Sequence, residues 1–210
     1  MNTILLLLSL HGIPASIAAD PNKPHPHQGV ATVFSNPQPV SLSDAEKRLL
    51  QSGKPVLKQV KQGNGGRGIA VMDVKGTEEE VWNVITDYPS YPKRIPELKT
   101  TSNYSVDEKN IYTRFIISKM MVSVEYFIKH DLHKDKGYIT WTLDYTRESD
   151  LDDSTGYWLL YPSPDNPGQT RVEYSVDIRI KGWIPKFIET MLADQGLEDA
   201  TKWVKKAVEK

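Results

Sequence analysis

The feature that most narrows the fold is a run of unbroken alternation at residues 171–181. Val172, Tyr174, Val176, Ile178 and Ile180 fall on one side of an extended chain; Arg171, Glu173, Ser175, Asp177, Arg179 and Lys181 fall on the other. Successive side chains of a strand point to opposite faces, so this pattern describes a strand packed on one face and solvated on the other. The pattern recurs upstream. Ile139, Trp141, Leu143 and Tyr145 oppose Tyr138, Thr140, Thr142 and Asp144, and Val122, Val124, Tyr126 and Ile128 form a third apolar side. Short polar breaks at 107–110, 135–137, 152–154 and 162–168 have the lengths that hairpins use. Residues 99–181 therefore read as an antiparallel meander with one apolar face to cover.

Such a face needs a second layer. Residues 185–208 supply one. Phe187, Ile188, Met191, Leu192, Ala200, Trp203, Val204, Ala207 and Val208 recur at helical spacing. Pro185 suits the first turn, and Lys202, Lys205, Lys206 and Lys210 gather where the helix dipole favours cations. Gly196 interrupts the stretch, either as a kink or as room beside a ligand. Nearer the start, Ser43 and Glu46 have capping-box spacing and open a helix that Gly53 ends. Residues 55–60 and 69–74 read as strands around a Gly63-Asn64-Gly65-Gly66 turn. Thr77 and Glu80 open a second helix with Val81, Trp82, Val84 and Ile85 on its apolar side. Pro89, Pro92 and Pro96 then permit only a short helical turn.

The totals restrict function. The 210 residues suit one domain, and 26 basic against 27 acidic side chains leave a net charge of −1, without the basic footprint of a nucleic-acid binder. There is no cysteine, which removes disulfides, thiolate metal sites and cysteine nucleophiles. An apolar run at 4–10, a break at Gly12 and Pro14, and small residues to Ala19 give the layout of a secretory signal peptide, cut after Ala18 or Ala19. The run is too short to cross a bilayer, which takes ~20 residues, and no Lys or Arg precedes it. The expected organisation is a signal peptide at 1–19, a flexible linker at 20–42 rich in Pro, Asn, Gln and Gly, and a folded domain at 43–210. The mature protein is then periplasmic or secreted.

The order of elements resembles the helix-grip fold of the START-related, birch-pollen-allergen-like proteins (the SRPBCC group). Residues 76–88, with Tyr91, Pro92 and Pro96 behind them, carry the resemblance. So do Gly156-Tyr157-Trp158-Leu159-Leu160, Thr170-Arg171-Val172-Glu173-Tyr174 and Gly182-Trp183-Ile184-Pro185. It covers about 43–210 and is most similar to the coenzyme-Q-binding and polyketide-cyclase-like branch, in exported bacterial form. The resemblance implies an α+β fold: a curved antiparallel sheet wrapped around a long C-terminal helix, with two short helices after an early strand. It also implies a cavity between sheet and helix. The candidate ligand-binding residues are Tyr91, Ile95, Phe115, Tyr126, Trp141, Leu143, Trp158, Leu160, Tyr174, Val176, Phe187 and Met191. Their rings offer apolar area, and the Tyr and Trp polar atoms can orient a ligand.

The function this implies is binding, with transport, of a lipid, quinone or sterol-like molecule by a monomer that needs no cofactor. Trp183, Ile184, Lys93 and Arg94 would allow transient membrane contact. The alternatives are a polyketide cyclase or hydrolase using the same cavity, and a ligand-free interaction domain with a solid aromatic core. The sequence has no Gly-x-Ser-x-Gly elbow, no His-Glu-x-x-His and no phosphate loop. His130 and His133 are three apart, fall on opposite faces of a strand, and read as surface or strand-end residues. His25 and His27 are too few for a metal site by themselves, and no metal is expected. Asp144, Arg147, Glu148 and Asp150 read as a solvated hairpin tip, and Arg114 and Glu125 as a pair across neighbouring strands, on the outer face or inside the cavity.

Overall fold

The computed structural model describes residues 19–62, 65–119, 122–181 and 196–209. The regular chain opens with α1 (Asp44–Gln51), β1 (Val56–Gln62), β2 (Gly65–Val74), α2 (Glu78–Thr86) and a 3₁₀ turn (Tyr88–Lys93). Six strands follow: β3 (Leu98–Val106), β4 (Asn110–Lys119), β5 (Val122–His133), β6 (Tyr138–Leu143), β7 (Leu151–Pro162) and β8 (Thr170–Ile180). Helix α3 (Gly196–Val208) comes last. Both early helices start as their residues dictate. The Ser43 hydroxyl accepts from the Glu46 N–H while the Glu46 carboxylate accepts from the Ser43 N–H, and Thr77 and Glu80 repeat the exchange.

All eight strands form one antiparallel sheet in the order β1-β2-β8-β7-β6-β5-β4-β3. Strands β3 to β8 are the expected meander, and the β1–β2 hairpin returns to pair with β8. Phe115 stands opposite Tyr126, His130 opposite Trp141, and Trp158 opposite Tyr174, so these side chains share one face. Helices α2 and α3 lie against that face through Val81, Trp82, Ile85, Leu197, Trp203 and Val204, which belong to the main core. Strand β2 passes so close beneath α3 that a Cβ at Gly68 would run into Leu197. The helix expected at 185–208 is therefore present from Gly196; residues 182–195, with Phe187, Met191 and Trp183, lie outside the described residues. So do the expected leader up to Ala18 and the tip of the first hairpin.

The outer face departs from expectation. The polar side of β8 is not solvated: Arg171, Glu173, Ser175 and Asp177 are buried. Asp73 and the turn with Ser163 and Asp165 enclose Arg171, and residues 20–42 reach Glu173 through Val40, so the expectation of a flexible linker is corrected. This arm has almost no regular structure, yet it is tied to the sheet. The Val30 and Ala31 N–H groups both donate to Asp153 at 2.7 Å, Val40 N–H donates to Glu173, and His25 N–H donates to the Tyr145 carbonyl. Phe34 packs edge-on against Tyr157, beside Tyr138 and Leu159. Helix α1 sits on the same side, with Leu50 against Val56 and Val71. An extended, proline-rich chain makes no ladder bonds of its own, so its free N–H groups are available to buried carboxylates. Apolar periodicity cannot register that kind of attachment.

A cavity on the inner face of the sheet

Between the inner face and the helical layer lies a cavity of about 190 Å³. Strands supply its wall at alternate positions: Phe115 and Ile117 from β4, Tyr126, Ile128 and His130 from β5, and Tyr174, Val176 and Ile178 from β8. Trp141 comes from β6, and Leu151, Ser154 and Trp158 from β7; Tyr88 and Tyr91 close it from the 3₁₀ turn, Ile95 from just beyond that turn and Trp203 from α3. Gly156 makes the Trp141 position feasible. It pairs with Trp141 across β6 and β7, and a Cβ there would strike the indole and the Ser175 carbonyl.

The rings are mutually supporting. Phe115 and Tyr126 stack 5.2 Å apart at 6°, and Tyr174 lies 5.6 Å from Trp141 and 4.4 Å from Trp158. Trp203 reaches within 4.7 Å of Tyr91. A solid aromatic core would leave no space among these rings. The observed volume exceeds the ~150 Å³ of an apolar cavity able to hold benzene, and falls below the ~300 Å³ at which drug-sized sites begin. It suits a ring-sized group or one end of a longer apolar molecule.

Eight of the sequence candidates meet here: Tyr91, Ile95, Phe115, Tyr126, Trp141, Trp158, Tyr174 and Val176. Leu143 and Leu160 belong to the same core but stand behind the wall. Phe187 and Met191 are outside the described residues. The lining also holds side chains that were not among the candidates, Tyr88, His130 and Trp203 among the rings and Glu97 and Ser154 among the polar groups. The reading of His130 as a surface residue is corrected, since it is 5 % exposed. The signal was available, because His130 continues the series Val124, Tyr126, Ile128 by two. A series built from apolar residue types stops one position early.

The polar atoms in the wall are few and mostly unspent. Neither ring nitrogen of His130 has a hydrogen-bond partner, and the ring stacks on Tyr88 at 4.1 Å. Burial pushes its pKa down to about 3, so the imidazole is neutral at physiological pH. The Tyr88 hydroxyl also lacks a partner. Burial raises the pKa of Tyr126 and Tyr174, and their hydroxyls have no partner among the described residues. The Tyr91 hydroxyl, by contrast, donates to the Ile85 carbonyl. A buried donor or acceptor without a partner costs about 1–3 kcal/mol. Such a cost is recovered when a bound molecule supplies the missing bond. His130 makes no hydrogen bond to Ser154, so these two are not paired as base and nucleophile. What it presents is apolar area with a few orienting groups.

Other clusters do not compete with this site. Arg114 and Glu125 pair at 2.6 Å on the outer face, away from the inward Phe115 and Tyr126. The expected solvated tip at 144–150 is corrected: Asp144 is buried and accepts from the Tyr104 hydroxyl, Glu148 pairs with Lys181, and Asp150 accepts from Glu125 N–H. The start of the arm, β3, β5 and Lys181 close over this loop and take up its charges. His25, His27 and Asp152 bring three potential metal donors within 4.8 Å of one another. Yet Nδ1 of His27 accepts from Gly29 N–H at 3.0 Å and Nδ1 of His25 faces Ser149 N–H at 3.4 Å, which leaves both ring protons on Nε2. Those protons point at Asp152, its carbonyl at 2.8 Å and its carboxylate at 3.1 Å. The trio is closed by its own hydrogen bonds.

Comparison with known proteins agrees with this architecture. The family described as polyketide cyclase / dehydrase and lipid transport matches residues 74–202. A STAR-related lipid transfer protein fragment from Xanthomonas axonopodis superposes with a TM-score of 0.59 at 15% identity, over 75% of this chain and 93% of that one. A START superfamily protein from Mycobacterium smegmatis gives 0.55 at 18%, over 68% and 97%. Zhui aromatase/cyclase from a Streptomyces species gives 0.52 at 14%, over 73% and 92%. At such identities the likeness speaks for the fold. A search of curated protein sequences found no match.

Proposed function

The chain belongs to the polyketide cyclase/dehydrase and lipid transport family, and on that premise we propose that its cavity takes up a hydrophobic small molecule and carries it outside the cytoplasm. One observation carries this reading: a space of about 190 Å³ walled by aromatic rings, whose unpaired polar atoms await a partner. Removing apolar ligand area from water contributes ~25 cal/mol per Å², so even a ring-sized group gains several kcal/mol before the cost of association. The Tyr126 and Tyr174 hydroxyls then select a ligand with at least one oxygen among the apolar atoms. Carriage in place of chemistry is supported by the mainly aromatic lining, in which neither His130 nitrogen holds a hydroxyl. Location outside the cytoplasm is supported by the apolar run and small residues before Ala19.

The test is extraction. The full chain is expressed for export in a bacterium, purified without detergent, and its organic extract analysed by mass spectrometry. A hydrophobic compound at about one per chain supports the reading and names the ligand class. An empty protein that also fails to take up added quinones, fatty acids and sterols ends it.

A further inference from the structure

A different part of the molecule carries an independent inference, at the start of the arm. The Ala19 nitrogen lies 2.9 Å from Asp150 Oδ1, and the Asp20 nitrogen 3.2 Å from Glu148 Oε2. The second Asp150 oxygen accepts from Glu125 N–H at 2.7 Å, so this one carboxylate joins the arm to β5. Four carboxylates around it are matched with cations: Glu148 pairs with Lys181, Glu125 with Arg114, Asp20 with Lys23 and Asp144 with Arg147. Among the described residues Asp150 has no cation, while a backbone nitrogen already occupies the place where one would sit.

The sequence supplies the missing charge. Leader peptidases require small residues one and three positions before the cut. A cut after Ala18 places Ala18 and Ser16 there, whereas a cut after Ala19 places Ile17 at the third position. We propose that the Ala18–Ala19 peptide bond is hydrolysed during export, and that the new amino terminus docks on Asp150 as an ion pair. Water adds across the amide; Ala18 leaves as a carboxylate and Ala19 keeps a protonated amine. The amide donor of the precursor becomes an ammonium with three protons, and its bond to Asp150 becomes charge-assisted on both sides. Maturation thereby fastens the first residue of the arm that covers the outer face. The inference rests on the export half of the preceding reading and is independent of what the cavity binds.

The experiment uses the full chain, expressed for export in a bacterium with a leader peptidase. Intact mass of the purified protein is expected to correspond to residues 19–210. The α-amino group is then acylated at pH 7.5 alongside the tripeptide Ala-Asp-Pro. Docking on a carboxylate lowers the free-amine fraction, and a pKa one unit higher slows labelling about sevenfold relative to the peptide at this pH. Asp150→Asn is expected to bring the rate back toward that of the peptide, and Glu148→Gln to leave most of the protection in place. A chain that keeps Met1, or begins at Asp20, overturns the cleavage. A chain that begins at Ala19 but labels as fast as the peptide overturns the docking, whatever the variants do. Neither result bears on ligand uptake by the cavity.

Discussion

The two sides of β8 bury polar chemistry in opposite ways. On the outer side, Arg171 is bidentate to Asp73 at 2.8 and 2.9 Å and also reaches Asp165, while Glu173 accepts from Val40 N–H and the Tyr161 hydroxyl. Burial pushes Asp73 up, but Arg171 and Asn166 outweigh it and hold the carboxyl below its ordinary range. On the inner side, one residue away at every step, Tyr174 faces a space with its hydroxyl unpaired among the described residues, and the same space is lined by a histidine with two idle nitrogens. Polar groups closed by partners serve the fold. Polar groups left open beside a cavity serve whatever enters it. The difference teaches where binding is to be sought in this molecule, and where it is not.

That contrast can be broken by substitution. The largest effect belongs to the outer face. Arg171→Ala strands the buried Asp73 carboxylate and is expected to cost about 3–5 kcal/mol in urea unfolding. Trp158→Ala on the inner face is expected to cost about 3 kcal/mol, the low end for a buried tryptophan, because space already adjoins the ring. Asp153→Ala frees the Val30 and Ala31 amides and the Tyr145 hydroxyl, at about 2 kcal/mol, and raises proteolysis within the arm. His130→Phe has the opposite sign. Removing an unpaired polar ring from an aromatic wall is expected to stabilise the protein by about 1 kcal/mol at pH 7. Equal losses from His130→Phe and Asp153→Ala would erase the distinction between the faces.

The same histidine sets an acid limit. Its pKa is about 3 in the fold against 6.5 when exposed, so between these values the unfolded chain holds a proton that the native chain does not. Stability therefore falls as pH drops below about 6.5, by roughly 1.4 kcal/mol per unit from this group. Glu173, pushed up by burial, works in the other direction nearer the carboxylate range. Unfolding followed from pH 7 to pH 4 is expected to show a shallower decline in His130→Phe than in the wild type.

Much of this was legible in the residues. Alternation placed Tyr126, Trp141, Trp158 and Tyr174 on one face because a strand admits only two, and two capping boxes fixed where α1 and α2 begin. What escaped has physical causes. Leu143 and Leu160 point inward, but whether an inward residue borders the void depends on sheet curvature, which a two-residue period does not encode. The arm escaped because backbone donors and scattered carboxylates hold it, as at Val30, Ala31 and Asp153, and no local pattern links positions so far apart. The polar side of β8 looked solvated for the same reason.

The central claim, that the inner face binds and the outer face holds, is tested most directly by ligand affinity in one substitution from each. The probe is N-phenyl-1-naphthylamine, titrated by fluorescence into the wild type, Trp158→Ala and Asp153→Ala at pH 7. The account expects Trp158→Ala to bind about tenfold more weakly or worse, a loss of some 1.4 kcal/mol, and Asp153→Ala to bind within about twofold of the wild type, as a residue outside the site should. Equal affinity in all three, or a greater loss in Asp153→Ala than in Trp158→Ala, would contradict it.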